Sequence, residues 1–252
     1  MTVEGSLAGR IALVTGASRG LGFEIARRMA EQGARVWLNG RGASAVEAAA
    51  ERIGPNARAL PFDIGDDQAS AAAFARLAED GLDILVNNVG QRDRRPLGQL
   101  RRADMAAMLS TNLVAPFDLA RRAAPLMQAR EYGRIVVTTS CSGMYGNFGQ
   151  SNYGAAKAAM VGLMNVLVQE GQKFNIKANI LAPTAATRMT EGLLPEQVLD
   201  LLKPETITPG MLTLVAEDAP NRMILGAGGG CFAECRIYET EGVAFGDDEL
   251  DP

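Results

Sequence analysis

The sequence predicts an α/β fold, a doubly wound parallel sheet with helices on both faces, and three observations support this prediction. Short apolar runs alternate along the chain with longer, Ala-rich segments. The short runs are apolar on both alternations, as strands that are buried on both faces should be. A glycine-rich turn follows the first run directly. Strands that alternate with helices favour parallel pairing through right-handed crossovers.

The predicted elements follow one another without an internal repeat or a linker. Strands are predicted over 10–16, 34–40, 57–63, 83–90, 134–140 and 176–183. Helices are predicted over 21–32, 43–53, 66–79, 101–129 and 152–174, with a short amphipathic helix within 191–204. We therefore predict a single domain over 1–252, in which 226–252 forms a Gly-rich and then acidic C-terminal extension.

Composition limits the partners and the compartment of the protein. The formal net charge is -4, so there is no overall basic field for nucleic acid. No apolar run reaches the roughly 18 residues of a membrane helix, and the N-terminus carries no basic-then-apolar signal. Three cysteines are too few for a disulfide framework. These observations predict a cytoplasmic protein with reduced thiols that binds neither nucleic acid nor membrane.

The chain contains no histidine, which excludes several kinds of site. A Ser-His-Asp triad, a Cys-His pair, a histidine metal site and a histidine general base are all impossible. We also expect no metal centre. If the chain is an enzyme, its proton transfers must use Tyr, Lys, Ser, Cys, Asp or Glu.

The first predicted strand leads into TGASRGLG, in which Gly16, Gly20 and Gly22 are spaced G-x-x-x-G-x-G. Glycines at such a turn let the backbone approach a pyrophosphate, and the helix that begins near Leu21 directs its positive end toward it. The position of the turn in a β-α-β unit indicates a dinucleotide site. It is not a P-loop, because no Gly-Lys-Ser/Thr follows.

The end of the second predicted strand indicates which dinucleotide binds. NAD sites place a carboxylate here, whereas an arginine accommodates the 2′-phosphate of NADP. The sequence reads Asn39-Gly40-Arg41, with no acidic residue before Glu47, and Arg19 lies in the glycine turn. Two guanidinium groups favour NADP(H), although NAD(H) remains possible. The alternative is that both arginines are simply solvated.

Tyr153 and Lys157 lie four residues apart in a predicted helix and therefore share one face. A free tyrosine with a pKa near 10 is only about 0.1% phenolate at neutral pH. At roughly 5 Å and an effective dielectric constant of about 20, the ammonium would lower that pKa by about two units. We expect Tyr153 to act as a general acid and base. An isolated pair of this kind is more often a surface tyrosine with a solvated lysine.

Four separated motifs together resemble those of the short-chain dehydrogenase/reductase family over essentially the whole chain. They are TGASRGLG, NNVG at 87–90, Ser140, and YGAAK thirteen residues after that serine. The resemblance implies a single-domain Rossmann-like fold and an NAD(P)(H)-dependent oxidoreductase. A non-catalytic nucleotide-sensing protein would not need Ser140, Tyr153 and Lys157 together. An isomerase or dehydratase of the extended relatives would need a larger substrate lobe.

The resemblance also implies roles for individual residues. For the cofactor site, it implies that the phosphates and ribose contact Gly16, Ser18, Arg19, Gly20, Leu21, Gly22 and Arg41. It implies that the adenine contacts Asp63 and Ile64. It implies that the remaining walls of the site include Asn88, Gly90, Tyr153, Lys157, Pro183 and Thr187. In the reaction, it implies that Ser140 binds the substrate oxygen and that Asn112 carries a water for proton relay. Asp63 has the alternative of capping a helix. Asn112 has the alternative of being an ordinary polar residue inside a helix.

The substrate prediction is divided between two groups of the family. The first half of the chain is similar to bacterial gluconate 5-dehydrogenases, and the second half resembles the (3R)-hydroxyacyl-CoA dehydrogenase part of peroxisomal multifunctional enzymes. Pro183-Thr184 and LGAGGGCF depart from the usual Pro-Gly and Asp-Gly-Gly and agree with the hydroxyacyl-CoA type. A 3-hydroxyacyl or 3-oxoacyl thioester is the favoured substrate, and a sugar acid or another small ketone is the alternative.

Two further patterns suggest partners. Five arginines, Arg92, Arg94, Arg95, Arg101 and Arg102, follow the fourth strand and could attract CoA phosphates, an acidic carrier protein or a sugar acid, or simply be solvated. Apolar residues such as Met144, Tyr145 and Phe148 could line an acyl pocket or belong to the core. The helix over 152–174 is apolar nearly all round, which suggests a second subunit. The resemblance implies a homodimer or, more often, a homotetramer.

Overall fold

A computed structural model of the chain describes residues 5–186 and 195–244, and these residues form one eight-stranded sheet with helices on both faces. The strand order is β3-β2-β1-β4-β5-β6-β7-β8, and all neighbours pair in parallel except β7 and β8. The strands are β1 Ile11–Val14, β2 Arg35–Gly40, β3 Ala57–Pro61, β4 Ile84–Asn87, β5 Gly133–Thr138, β6 Ile176–Thr184, β7 Ile224–Gly228 and β8 Cys231–Cys235. The predicted fold class and all six predicted strands are confirmed.

The helices alternate with the parallel strands as predicted. They are α1 Gly20–Glu31, α2 Ala43–Ile53, α3 Asp67–Asp80, α4 Arg102–Leu109, α5 Ala115–Ala129, α6 Cys141–Tyr145, α7 Ser151–Gly171, α8 Glu196–Leu201 and α9 Thr208–Val215. Three short 3-10 turns cover Leu97–Gln99, Gln172–Phe174 and Pro204–Ile207. None of the helices in the described ranges is long and apolar enough to cross a membrane.

The sheet separates two buried apolar layers because alternate residues of each strand face opposite sides. On one face, Val14 and Val136 pack with side chains of α1, α2 and α9. On the other face, Leu13, Leu85 and Ile135 pack with side chains of α3, α5 and α7. This accounts for strands that are apolar on both alternations. The rigid sheet fixes the loops at its carboxyl edge, where the motifs lie.

The helix predicted over 101–129 is interrupted. Its residues form α4, a π-helical turn over Ser110–Val114, and α5. Pro116 is the physical reason, because it has no N–H for the carbonyl of Asn112 and its ring would clash with that carbonyl in a regular helix. Single π-helical turns of this kind are frequent at functional sites.

The chain beyond residue 224 contributes two strands that the sequence analysis did not predict. Residues 226–235 of the expected extension form most of β7, a turn and β8, so they belong to the sheet. The turn is made by Gly229 and Gly230, whose φ angles of 57° and 77° suit a tight hairpin. Glycine-rich strands have low intrinsic β-propensity, which hid this hairpin in the sequence. The acidic residues 245–252 lie outside the described residues.

Candidate active site

The glycine turn lies between β1 and α1, beside the point where the strand order reverses from β1 to β4. Gly16 and Gly20 have φ angles of 65° and 57°, in the left-handed region that favours glycine. A Cβ at Gly22 would lie 2.3 Å from the carbonyl oxygen of Gly16. The loop can therefore close on α1 only because Gly22 lacks a side chain. This leaves bare backbone at the amino end of α1, as a dinucleotide pyrophosphate requires.

The NNVG segment after β4 is tied directly to the end of β1. The backbone N–H of Asn88 donates to Thr15 Oγ1 at 2.9 Å, and Asn88 Nδ2 donates to the Thr15 carbonyl at 3.1 Å. A Cβ at Gly90 would lie 3.0 Å from Asn112 Oδ1 and 3.3 Å from Lys157 Nζ. Gly90 therefore leaves open a narrow space that two candidate catalytic side chains border.

The two arginines predicted to favour NADP(H) lie beside the end of β2. Ser18 Oγ is 3.5 Å from the position of a Cβ on Gly40, which brings the glycine turn against the residue before Arg41. Arg19 and Arg41 are exposed, and neither forms an ion pair within the described residues. The end of β2 carries no carboxylate, since its last residues are Asn39 and Gly40. A phosphate bound there could pair with the two guanidinium groups without repulsion from a nearby carboxylate.

The remaining predicted cofactor residues lie at the same edge of the sheet, with one exception. Ile64 is buried, and Asp63 Oδ1 accepts a hydrogen bond from the Gly65 N–H at 2.9 Å. The alternative of Asp63 as a helix cap is wrong, because Asp66 caps α3 by accepting from Ala69 N at 3.0 Å. Pro183 lies half-buried in β6. Thr187 lies outside the described residues.

Ser140 lies two residues after the end of β5 and forms the N-cap of α6. Its Oγ accepts a hydrogen bond from the Ser142 backbone N–H at 3.2 Å. Ser142 Oγ contacts Gln150 Oε1 at 2.5 Å, which holds the loop before α7. The serine side chain is half-buried, so it is fixed in orientation and still reachable at the edge of the sheet.

Lys157 is almost fully buried and its ammonium is held by the end of β5. Lys157 Nζ donates to the Thr138 carbonyl at 2.8 Å, and Thr139 Oγ1 donates to the Lys157 carbonyl at 2.6 Å. Burial in apolar surroundings lowers the pKa of Lys157 to about 8. The side chain therefore still carries a charge at neutral pH. The reading of this residue as a solvated surface lysine is wrong.

Tyr153 is also buried, with 5% of its surface exposed. Lys157 Nζ lies 5.9 Å from the centre of its ring. The predicted direction of its pKa is wrong for this structure, because burial raises the pKa of the phenol above its ordinary value. The hydrogen bond with Ser140 and the charge of Arg92 act in the lowering direction. The sequence argument omitted the desolvation of the phenol and the hydrogen bond that holds the ammonium at Thr138.

Asn112 is fully buried in the π-helical turn and holds the loop after β4. Its Nδ2 donates to the Gln91 carbonyl at 3.0 Å and to the Met108 carbonyl at 3.2 Å, and its Oδ1 accepts from Gln91 N at 3.3 Å. This reciprocal pairing fixes a loop beside Lys157, which distinguishes Asn112 from an ordinary polar residue inside a helix. The amide side chain thus positions the loop, and the role of Asn112 in carrying a water stays a prediction.

The five arginines after β4 are not equivalent. Arg95 pairs with Asp93, and with Asp104 at 3.1 Å, while Arg101 pairs with Asp104 at 3.2 Å. The three others form no ion pair within the part of the chain that the structure describes; they are Arg92, Arg94 and Arg102. Sequence spacing could not separate the two groups, because the pairing depends on how the loop folds back to α4.

One feature near Ser140 and Tyr153, the contact at Gly143, escaped the sequence analysis. A Cβ on Gly143 would lie 2.8 Å from the backbone carbon of Lys157, so α6 touches the backbone of α7 there. The only sequence signal was a glycine inside a short helical segment. Tyr145 and Phe148 are 73% and 78% exposed, so they do not belong to the core, whereas Met144 packs against it.

Comparisons with known proteins agree with this geometry. The family profile described as short chain dehydrogenase matches residues 10–197. A short-chain type dehydrogenase/reductase of Mycobacterium tuberculosis is 38% identical over 94% of this chain and 88% of its own length. Peroxisomal multifunctional enzyme type 2 of Mus musculus is 37% identical over 93% of this chain, which spans only 34% of the mouse protein.

Two more relatives bear on the substrate and the cofactor. The 3-oxoacyl-(acyl-carrier-protein) reductase of Vibrio cholerae is 33% identical over 76% of this chain and 80% of its own length. A solved structure assigned as an NAD(P)-dependent gluconate 5-dehydrogenase of Beutenbergia cavernae, with NADP at low occupancy, is 31% identical with a TM-score of 0.83, covering 90% of this chain and 98% of the other. On its fold, its site and these similarities, the chain belongs to the short-chain dehydrogenase/reductase family of oxidoreductases that act on CH–OH groups.

Proposed function

We propose that the protein interconverts a secondary alcohol and a ketone with NAD(P)(H), using Ser140, Tyr153, Lys157 and Asn112. The observation that carries the proposal is the buried Tyr153, whose pKa the neighbouring Ser140 acts to lower, and whose ring centre lies 5.9 Å from the Lys157 ammonium one helical turn away. These groups lie at the carboxyl edge of the sheet, next to the glycine turn. In open α/β sheets this edge is where ligands bind.

The chain supplies the groups that a carbonyl reduction needs. A nicotinamide dinucleotide held by the glycine turn, Arg19 and Arg41 would supply hydride transfer to or from the carbonyl carbon. Tyr153 Oη donates its proton to the carbonyl oxygen, and Ser140 Oγ donates a hydrogen bond to the same oxygen. In the reverse direction, the phenolate of Tyr153 removes the alcohol proton. The charge of Lys157 favours that phenolate, and Asn112 holds the loop that borders the ammonium.

The cofactor is proposed to be NADP(H) in preference to NAD(H). Arg19 and Arg41 carry no partner carboxylate in the described residues, and a guanidinium pairs with a phosphate in a bidentate way. Replacing both by Ala should lower kcat/KM with NADPH by about ten-fold or more and change it little with NADH. Steady-state kinetics with both cofactors tests this. A wild-type preference for NADH would contradict it.

The proposed substrate is a 3-oxoacyl or 3-hydroxyacyl thioester. Arg94, in the loop after β4, and Arg102, at the start of α4, are exposed and form no ion pair within the described residues, and the exposed Tyr145 and Phe148 lie on the chain just after Ser140. Such a combination suits an apolar acyl group attached to a phosphate-bearing carrier. The relative named as a 3-oxoacyl reductase supports this choice.

A sugar acid of the gluconate type is the second candidate, because a structurally similar chain carries that assignment. A ladder of substrates separates the two: acetoacetyl-CoA, its N-acetylcysteamine thioester, and a keto-gluconate. If carrier phosphates are bound, kcat/KM should be higher for the CoA ester than for the truncated thioester, and the ratio should fall as salt is raised. Turnover of the sugar acid alone would favour the second candidate.

The central experiment replaces Tyr153 by Phe. We expect kcat to fall by about 100-fold or more, since a positioned general acid contributes on that scale, while NADPH binding followed by fluorescence persists. Tyr238→Phe is the matched control, because Tyr238 is exposed near the end of the described chain. Near-normal turnover by Tyr153→Phe would overturn the proposal. A nucleotide-sensing protein would instead bind NADPH and never consume it with any ketone.

We also propose a cytoplasmic location and a homotetrameric or homodimeric state. Cys141, Cys231 and Cys235 are free thiols, in keeping with a reducing compartment. Apolar side chains are exposed on α5 and α7. Expression as a fusion with a fluorescent protein tests the location, and sedimentation tests the assembly.

A further inference from the structure

The hydroxyl of Ser140 is bound on one side by the protein and is available on the other. As the N-cap of α6, Ser140 Oγ accepts a hydrogen bond from the backbone N–H of Ser142 at 3.2 Å. This bond uses a lone pair of the oxygen and leaves the hydroxyl proton for another acceptor. The position of Ser140 Oγ, and so the reach of that proton, therefore depends on how the first turn of α6 is held.

A buried hydrogen bond between side chains holds this turn. Ser142 Oγ donates to Gln150 Oε1 at 2.5 Å, and the two residues are only 8% and 4% exposed. A polar group at this depth must find its partner within the protein, so the loss of either partner is costly. The hydrogen bond fixes Ser142, whose backbone N–H in turn holds Ser140 Oγ.

Gln150 is also anchored to the helix that carries Tyr153. It is the residue directly before α7, and its carbonyl accepts from the Gly154 N–H at 2.6 Å. Its own N–H donates to the Asn147 carbonyl at 3.2 Å. Tyr153 lies three residues after Gln150, in the first turn of α7. Gln150 thus connects the turn that holds Ser140 with the turn that carries Tyr153.

Two other contacts between these helices are steric. A Cβ on Gly154 would lie 3.0 Å from the Ser142 carbonyl oxygen, and a Cβ on Gly143 would lie 2.8 Å from the backbone carbon of Lys157. Contacts of this kind limit how closely the helices approach. A hydrogen bond is directional, so the bond between Ser142 and Gln150 also fixes how α6 is turned relative to α7.

We propose that Gln150 is a positioning residue for the reaction, which acts through Ser142 to hold the Ser140 hydroxyl toward the same substrate oxygen as Tyr153 Oη. This inference rests on the proposed function, in which both hydroxyls act on one carbonyl oxygen. It assigns a purpose to a buried pair that needs no contact with the substrate or the nicotinamide. The spacing between the two hydroxyls then depends on one side-chain hydrogen bond.

The first test removes each partner separately and uses NADPH with acetoacetyl-CoA, or with a keto-gluconate if only that compound is turned over. Ser142→Ala deletes the hydroxyl, and Gln150→Met keeps a long side chain without the acceptor. Each should lower kcat by about ten-fold or more, because a misplacement of about 1 Å can cost about 100-fold. NADPH binding followed by fluorescence should change little. Gln169→Met, at an exposed glutamine of α7, is the matched control and should keep the wild-type kcat.

The second test asks whether Gln150 acts through Ser140. The double variant Ser142→Ala/Gln150→Met should be no slower than the slower single variant, because both changes remove the same hydrogen bond. In a Ser140→Ala background, Ser142→Ala and Gln150→Met should have little further effect on the remaining kcat. A merely structural role would lower kcat by the same factor with and without the Ser140 hydroxyl.

Three results would overturn the inference. They are a wild-type kcat in Ser142→Ala and Gln150→Met, an equal loss of kcat in Gln169→Met, and equal losses with and without the Ser140 hydroxyl. Circular dichroism establishes that each variant is folded. If Gln150→Met does not fold, Ser142→Ala, which deletes a single oxygen, decides the question in both backgrounds.

Failure of the proposed function looks different from failure of this inference. In the first case, Tyr153→Phe turns over normally. In the second case, Tyr153→Phe is inactive, while Ser142→Ala and Gln150→Met keep the wild-type kcat.

Discussion

At the scale of one residue, the buried ammonium of Lys157 destabilises the fold at a position where the proposed reaction uses its charge. The side chain places an ammonium in a nearly dry site with a single backbone carbonyl as its direct partner. Burial disfavours the charged form, which is why the pKa of Lys157 is lowered to about 8. At pH values between the lowered pKa of Lys157 and the ordinary pKa of a lysine, the unfolded chain holds the proton on this side chain and the native protein has largely lost it. Stability should therefore rise with pH across that window.

Replacing Lys157 by Met tests this linkage. Between pH 7 and pH 9.5, the unfolding free energy of the wild type should rise by about 2 kcal/mol relative to the variant, because only the wild type loses the buried charge. Urea unfolding of the cofactor-free protein at both pH values gives the difference. Lys173→Met, at an exposed lysine, should show no such change. A constant difference between wild type and Lys157→Met would contradict the burial argument.

The placement of Tyr153 and Lys157 on one helix face was predictable from spacing, but the electrostatics of the pair were not. Tyr153 and Lys157 lie four residues apart, and helix geometry alone brings them to one face. The pKa of Tyr153 depends on how much water the phenol retains and on Arg92, which is distant in sequence. Arg92 lies in a loop, where neither a helical nor a strand period indicates the direction of a side chain. Only the folded loop shows which of the five arginines acts on the pKa of the phenol.

At the scale of elements, the proposed active site depends on the contact between α6 and α7. Ser140 caps α6, and Tyr153 and Lys157 lie on α7. The two helices approach closely because Gly143 has no side chain: a Cβ there would lie 2.8 Å from the backbone carbon and the Cβ of Lys157. The spacing of the proposed catalytic groups is therefore set by a backbone contact between helices.

Gly143→Ala should separate the two helices and displace Ser140 from Tyr153. A misplacement of about 1 Å can lower kcat by about 100-fold, and overpacking costs about 1–3 kcal/mol of stability. Steady-state kinetics and thermal unfolding measure both effects. Gly98→Ala is the control, since nothing lies within 4 Å of an added Cβ there. Equal kcat in both variants would show that α6 can move without consequence.

Regular elements were predicted closely, and the departures occur where local rules compete. α2 was predicted over its observed range because its apolar period is uninterrupted. The helix over 101–129 was predicted as continuous because its apolar period continues across Pro116, which forces the π-helical turn. The short α6 is too brief to show a period. Such segments form only because the sheet and α7 hold them.

At the scale of the whole molecule, β8 joins parts of the chain that are distant in sequence. Its Phe232 ring covers Gly210 of α9, where a Cβ would lie 2.6 Å away. At its other end, Cys235 Sγ lies 3.2 Å from the hydroxyl of Tyr145 in α6. The antiparallel edge strand thus connects α9 with the helix that begins at Ser140. The sequence gives no indication of this link, because both contacts depend on the register of the hairpin.

The exposed apolar surface of α5 and α7 is the remaining feature that a single chain leaves unexplained. Phe117 on α5 is 50% exposed and Val166 on α7 is 53% exposed, and the two helices are in contact. Burying one such side chain fully is worth about 1.5–3 kcal/mol, so a few of them can hold subunits together. We predict that the wild type sediments at micromolar concentration as a species heavier than the 26.6 kDa chain.

Val166→Lys should weaken that assembly, because it places a charge within the apolar contact that we expect between copies. Val243→Lys is the matched control, since Val243 is 78% exposed near the end of the described chain. Sedimentation velocity over a range of concentrations should show the first variant dissociating and the second behaving as wild type. A monomeric wild type would contradict the prediction, and so would equal dissociation in both variants. If Val166→Lys dissociates and Val243→Lys does not, the apolar side chains of α5 and α7 are covered by a second copy in the assembly. That contact would explain why the 152–174 segment is apolar nearly all round.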